Sequence, residues 1–161
     1  MKVISVRRSA RHVAVVVTIA CTVLLAACSS SPSPTAGTTP KPTHKLTLYA
    51  YKTSLGSVVG SIAGIVAYTD SAESSKHFVC TSASCTATWQ PWVTDGVDVV
   101  AAAGVHQSLI GTVKRPDGSV QMTYGGHPLY LYAHTQHAVQ ANAEGAGGVW
   151  YVVGTDGNII K

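Results

Sequence analysis

Between Leu109 and Tyr132 (LIGTVKRPDGSVQMTYGGHPLYLY) apolar and polar positions alternate in short runs, interrupted by two turn signals. Pro116-Asp117-Gly118 supplies the first turn, with proline presetting φ and glycine free to take a positive φ. Gly125-Gly126 supplies the second, a two-residue hairpin loop. That loop predicts Tyr124 opposite His127, Met122 opposite Leu129 and Val120 opposite Leu131. Those six residues make one largely apolar face, and Gln121, Thr123, Pro128, Tyr130 and Tyr132 fall on the other. The stretch therefore predicts three strands, and Pro128, which lacks an N–H, suits a strand that is at an edge there.

The rest of the chain carries the same period. Leu46–Tyr51 alternates and predicts a strand. Ser57–Ile62 and Ile65–Thr69 predict a hairpin around Ala63-Gly64, where β-branched residues and glycines favour strands over a buried helix. Asp70 to Thr88 is polar and irregular, closed by Trp89-Gln90-Pro91-Trp92, and Asp95-Gly96 marks another turn. Val97–Ala103 fits either a short strand or one helical turn. Residues 134–148 (HTQHAVQANAEGAGG) predict a long loop, and Val149–Val153 with Asn158–Ile160 predict a last hairpin around Asp156-Gly157. No stretch sustains a helical period with caps. The expected class is all-β: a single compact antiparallel domain of hairpins or meander, a small sandwich or barrel-like.

A weak internal echo suggests two related repeats, about residues 53–92 and about 108–160. Leu55-Gly56-Ser57-Val58 echoes Ile110-Gly111-Thr112-Val113, and Gly64-x-x-x-Tyr68 echoes Gly126-x-x-x-Tyr130. The second unit is longer by about one strand.

The first 27 residues follow a different logic. Lys2, Arg7, Arg8 and Arg11 precede an apolar run from Val13 to Ala26, as in a secretory signal peptide. Arg7-Arg8 raises twin-arginine export, but the surrounding pattern is poor and favours general secretion. Leu25-Ala26-Ala27-Cys28 resembles a bacterial lipobox, which implies cleavage before Cys28 and lipidation of its thiol and new amino terminus. Two or three acyl chains there are ample for stable membrane anchoring. Residues 28–45 then read as a lipidated, disordered tether rich in Ser, Thr and Pro, able to span roughly 50 Å if extended. The β domain occupies residues 46–161.

Removing the leader changes the charge argument. The whole sequence has a formal net charge of +4, but the leader holds four of the eleven Lys and Arg residues and no Asp or Glu. The mature chain is left with seven basic and seven acidic residues, so a basic nucleic-acid-binding surface has no support.

The motif Gly111-Thr112-Val113-Lys114-Arg115-Pro116-Asp117-Gly118, followed by Gln121 and Tyr124-Gly125-Gly126-His127-Pro128-Leu129-Tyr130-Leu131-Tyr132, resembles a family of bacterial lipoproteins. That family is built from a tandem secreted repeat of unknown function, with a Tyr-x-aromatic-x-x-Asp hallmark. Gly145, Gly147-Gly148-Val149-Trp150-Tyr151-Val152-Val153 and the Asp156-Gly157 turn extend the resemblance. Tyr68, and Cys80, Cys85, Trp89 and Pro91, stand in the corresponding region of the first repeat. The pattern departs from the family at Thr135, where its Asp belongs, at Asp70, which replaces an aromatic, and at Gln90, which replaces a Pro; Glu73 holds the acidic position of the first repeat. The resemblance implies architecture and an extracytoplasmic location, and supplies no reaction.

Candidate chemistry is sparse. Cys21 leaves with the leader and Cys28 takes lipid, which leaves Cys80 and Cys85 in an export compartment where disulfides persist. A disulfide is the favoured reading, over two metal ligands with His77 or a labile redox pair. His134 and His137, with His127 beside them, are a speculative metal set of the kind imidazoles make for Cu(II) or Zn. Tyr130 and Tyr132 either line a second buried layer or form an exposed aromatic strip with Trp89 or Trp92. There is no G-x-S-x-G, no H-E-x-x-H and no phosphate-binding Gly-rich loop, and Asp70, Glu73, Asp95 and Asp98 fall in turns. The expectation is a lipid-anchored extracytoplasmic protein that is not an enzyme. It is expected to bind no cofactor beyond the lipid on Cys28 and to meet an envelope protein or glycan, as a binding or structural module. A metal- or redox-linked accessory protein is the alternative.

Overall fold

The computed structural model describes residues 45–161. The expected leader, Cys28 and the tether as far as His44 lie outside the described residues. The strands in chain order are β1 (Leu46–Thr53), β2 (Gly56–Gly60), β3 (Ala67–Asp70), β4 (Trp89–Pro91), β5 (Val99–Ala101), β6 (Ile110–Lys114), β7 (Val120–Tyr124), β8 (His127–Pro128), β9 (Tyr130–Tyr132) and β10 (Trp150–Val152). They form three sheets, ordered β2-β1-β5, β10-β3-β9-β4 and β6-β7-β8. The class is all-β, as the alternation predicts, with one short helix and a 3-10 turn at Gln107–Leu109.

The four-stranded sheet gives core residues to both of its faces. Neighbouring residues go to opposite cores: Val58 and Val59, Ala67 and Tyr68, Leu129 and Tyr130, Val152 and Val153. One core gathers Tyr68, Trp89, Tyr130 and Trp150 with Cys80. The other gathers Leu48, Trp92, Met122, Tyr124 and Leu129. The predicted division of the central stretch into two faces holds: Met122, Tyr124 and Leu129 enter one core with Leu131 packed against it, and Tyr130 and Tyr132 belong to the other. Gln121 and Thr123 are as buried as Met122 and Tyr124, while Val120 is 37% exposed.

The hairpin at Gly125-Gly126 has the expected register, with Tyr124 opposite His127 and Thr123 opposite Pro128. Leu129 N–H still donates to Met122 O at 2.9 Å, but there the strands part. Trp92 enters between them: its N–H donates to Leu129 O and its carbonyl accepts from Met122 N–H. Thr94 N–H takes Val120 O, so Val120 faces the incoming segment and not Leu131. The chain beyond Leu129 is thereby released to lie between β3 and β4 as β9.

The first half of the domain follows the same path. The turn predicted around Ala63-Gly64 closes through Gly64 N–H to Ser61 O, and the flanking strands hold one bridge, Gly60 to Val66. Val153 then enters as Trp92 does, donating to Ala67 O and accepting from Val59 N–H. Tyr68 and Tyr130 end up directly opposite each other in the shared sheet. Each half gives its last strand to the other, since β4 pairs with β9 and β10 with β3. This path aligns β1 with β6 and β2 with β7, so Gly56, which opens β2, and Gly111, on β6, are not structural counterparts.

Two local differences from expectation have simple causes. Within the stretch predicted irregular, Ala83–Thr88 forms helix α1, capped by Ser82, whose hydroxyl accepts from Cys85 N–H. At six residues it is too short to show a period. Val97–Ala103, which fitted strand or helix, contains β5, and β5 pairs parallel to β1 with Leu46 opposite Val99. A parallel neighbour requires a long crossover, here the whole chain from β2 to β4, and no local signal announces it.

Candidate functional site

Arg115 lies in the first tight turn of the motif stretch, yet it is 3% exposed. Its neighbour Pro116 directs the chain outward while its side chain turns in beneath β7 and β9. There Nη1 donates to Gln121 Oε1 at 2.6 Å and to the Tyr130 hydroxyl at 2.9 Å, and Nη2 donates to Cys80 O at 2.7 Å. The guanidinium also sits 5.1 Å from the Phe78 ring centroid, within cation–π range. Nε lies 3.6 Å from Asp117 Oδ2, an ion-pair distance too long for a hydrogen bond.

Glu73 completes the network from the other side. Oε1 accepts from the N–H groups of Val79 and Cys80 at 2.7 and 2.6 Å, and Oε2 accepts from the Tyr130 hydroxyl at 2.7 Å. Tyr130 thus bridges a buried cation and a buried carboxylate through one oxygen, donating to one and accepting from the other. Burial, reinforced by the bond to Glu73 and opposed by the one from Arg115, holds its hydroxyl far above the usual tyrosine range. The Cys80–Cys85 disulfide closes the same loop, so backbone and side-chain groups of residues 73–85 are tied to a tyrosine of the other half.

The mirrored position is built differently. Tyr68, from the first half, reaches the loop before β10, where its hydroxyl accepts from Ala143 N–H at 3.2 Å; burial raises its pKa as well. Thr135, where the family Asp is expected, donates to Tyr132 O at 2.9 Å and closes a local turn. This is a donor's bond to a carbonyl, which an ionised carboxylate could not make. Glu144 instead supplies the carboxylate of this half. Its Oε2 accepts from Val152 N–H at 2.8 Å on the outer edge of β10, whose Trp150 and Val152 carbonyls accept from Gly145 and Ile160 N–H. The matching edge strand β4 has Pro91 opposite Tyr130, as Val152 is opposite Tyr68, and needs no acceptor there because proline has no N–H.

Beside Glu144 an open cleft of about 370 Å³ separates the β1–β2 turn from the loop ahead of β10. Thr53, Ser54 and Leu55 line one wall; Val139, Gln140, Asn142 and Glu144 line the other. Val139 has a φ of 60°, in the left-handed region that β-branched residues rarely occupy, and its N–H donates to Gly64 O at 2.7 Å. Burial raises the Glu144 carboxyl above the usual carboxylate range, against the lowering effect of the Val152 N–H.

The residues singled out in the sequence fall into four groups. Cys28 lies outside the described residues. Cys80 and Cys85 are bonded to each other, with His77 exposed on the same loop. Trp89, Trp150, Tyr68, Tyr130 and Tyr132 form a joined aromatic cluster: the two indoles stack at 4.0 Å and 8°, Trp89 lies 4.9 Å from Tyr132, and Tyr130 meets Trp150 edge-on. Of the two readings of the aromatic strand, the buried layer is the observed one, with Tyr130 fully buried and Tyr132 half-buried. His134 and His137 are exposed, His127 is half-buried across its turn from Tyr124, and His134 rests edge-on against Tyr132 at 5.4 Å. Among the described residues no three His, Cys, Asp or Glu side chains come together as a metal-holding group. Burial lowers the His127 pKa.

Three residues that organise the interior, Arg115, Glu73 and Glu144, carried no chemical signal in the sequence. A charged residue in a turn reads as solvated, and only the family's acidic position pointed towards Glu73. Among the described residues no helix is long and apolar enough to cross a membrane. No curated protein and no solved structure matches the chain. Residues 111–154, from β6 through the central hairpin to the end of β10, match the family model described as a secreted repeat of unknown function, and this part of the chain carries that repeat.

Proposed function

We propose that this protein is a non-catalytic binding module of the cell envelope, held outside the cytoplasm by a lipid on Cys28 and a Ser/Thr/Pro-rich tether. The observation that carries the non-catalytic reading is the state of the strongest charged constellation in the domain. Arg115, Tyr130 and Glu73 are buried, and Glu73 and the Tyr130 hydroxyl are engaged on both sides. A catalytic group needs access to substrate; these groups are buried without it, the Tyr130 hydroxyl is held far above the usual tyrosine range by burial, and the network serves to lock the two halves together. The cleft beside Glu144 is an accessible concave surface where a ligand could sit. The secreted-repeat match supports the extracytoplasmic placement.

Fractionation of cells producing the full chain or its Cys28→Ala variant tests the reading. The wild-type protein is expected in the membrane fraction, cleavable by protease added to cells whose outer layers are opened, and Cys28→Ala is expected to be released from the membrane. Recovery of both proteins in the cytoplasm, shielded from added protease, would overturn it.

A further inference from the structure

Glu144 is the one carboxylate that lines the cleft, and its surroundings leave it half out of water without a counter-charge. Oε2 accepts from Val152 N–H, the hydrogen bond that Glu144 makes among the described residues, and no Lys or Arg lines the cleft or pairs with it there. A carboxylate in that position is disfavoured in its charged form until a cation is brought to it. The cleft offers more acceptors around it: the amide oxygens of Gln140 and Asn142 and the hydroxyl of Ser54.

We propose that this cleft binds a primary ammonium group on a short aliphatic stem, as in a lysine-like side chain of an envelope peptide, with Glu144 as its counter-charge. An ammonium has three donors and no acceptor, so it requires several oxygen acceptors, and the residues that line the cleft carry them. Leu55 and Val139 give the stem an apolar wall to lie along while its head stays polar. An anion is excluded by the carboxylate. A sugar ring would find no aromatic platform, because the cleft contains no aromatic side chain. The left-handed backbone of Val139, tied to Gly64 O, is a conformation of the kind that persists at ligand clamps, where surrounding structure holds it. The inference rests on the reading of the domain as a binding module and names the chemistry of its ligand.

The test uses the full chain with its disulfide intact and three probes: Nα-acetyl-lysine methylamide, its Nε-acetylated counterpart, and a neutral N-acetylhexosamine disaccharide. Binding is read from the side-chain amide resonances of Gln140 and Asn142 and from calorimetry at pH 7. The charged probe is expected to shift both amides, and the acetylated probe, which keeps the stem and loses the charge, is not. Glu144→Gln keeps an oxygen for Val152 N–H and is expected to weaken the charged probe by at least about tenfold, as loss of one member of a desolvated charge pair does. An unchanged urea midpoint for that variant certifies its fold; if it does not fold, Asn142→Ala is expected to weaken the probe severalfold instead. Equal shifts from the charged and acetylated probes would overturn the proposal. So would disaccharide binding that Glu144→Gln leaves unchanged, or amides unmoved by millimolar charged probe. None of these results bears on the Cys28 fractionation, so failure of the ligand assignment and failure of the envelope placement are separable.

Discussion

Replacing Tyr130 with phenylalanine keeps the buried ring and removes one oxygen. That oxygen donates to Glu73 Oε2 at 2.7 Å and accepts from Arg115 Nη1 at 2.9 Å. Hydrogen bonds to charged groups contribute roughly 1.5–3 kcal/mol each. Both charges keep other partners, Gln121 and Cys80 O for Arg115 and two backbone N–H groups for Glu73. The loss should therefore fall near the lower end for two such bonds, about 3 kcal/mol. Tyr68→Phe is the matched control. The Tyr68 hydroxyl accepts one backbone N–H, from Ala143 at 3.2 Å, which corresponds to about 1 kcal/mol. Urea unfolding of the oxidised protein measures both, and at roughly 4 °C per kcal/mol for a domain of this size the two variants should also separate clearly in Tm. If Tyr130→Phe loses no more stability than Tyr68→Phe, the buried charge bridge is not what holds the halves together, and the argument for its structural role fails.

Reducing the Cys80–Cys85 bond, or replacing Cys85 with serine, should cost about 2 kcal/mol through the freedom returned to a short unfolded loop, seen as a lower urea midpoint with reductant present. At the central turn, a Cβ on Gly125 would collide with the Gly157 backbone, whereas one on Gly126 would meet nothing, although both have positive φ. Gly125→Ala should then lose several kcal/mol or fail to fold, and Gly126→Ala only about 1 kcal/mol for its backbone conformation. Similar urea midpoints for the two would contradict the close approach. Burial lowers the His127 pKa, so the folded state binds a proton less readily than the unfolded state. Stability should decline as pH falls through the ordinary histidine range, and His127→Gln should flatten that slope in chemical unfolding between pH 7 and pH 5.

Strand positions were legible in the sequence because strands are signalled locally. The Gly125-Gly126 turn fixed the register of Tyr124 with His127, and Gly64-x-x-x-Tyr68 and Gly126-x-x-x-Tyr130 marked residues that become direct partners across the sheet. What could not be read locally was where each strand goes after its turn. Trp92 and Val153 enter their hairpins from distant parts of the chain, and the parallel pairing of β5 with β1 is equally remote. The same limit applies to the site. Arg115 sits in a polar turn beside Pro116 and Asp117, where periodicity marks it as exposed; only the fold reveals Glu73, Tyr130 and Cys80 around it. Glu144 likewise reads as one charge in an Ala/Gly-rich loop until β10 brings the Val152 N–H to it. The cysteines were the exception: with Cys21 assigned to an expected leader and Cys28 to an expected lipid, Cys80 and Cys85 were expected to pair, and they are bonded.

The claim on which the account turns is that the domain is displayed outside the cytoplasm by a lipid on Cys28. Intact-mass spectrometry of the full-length product, extracted from membranes, tests it most directly. The expected mass is that of a chain beginning at Cys28 with diacylglyceryl and N-acyl groups added, and without the two hydrogens lost in forming the Cys80–Cys85 bond. A chain that still begins at Met1, or one cleaved elsewhere with Cys28 unmodified, would contradict it.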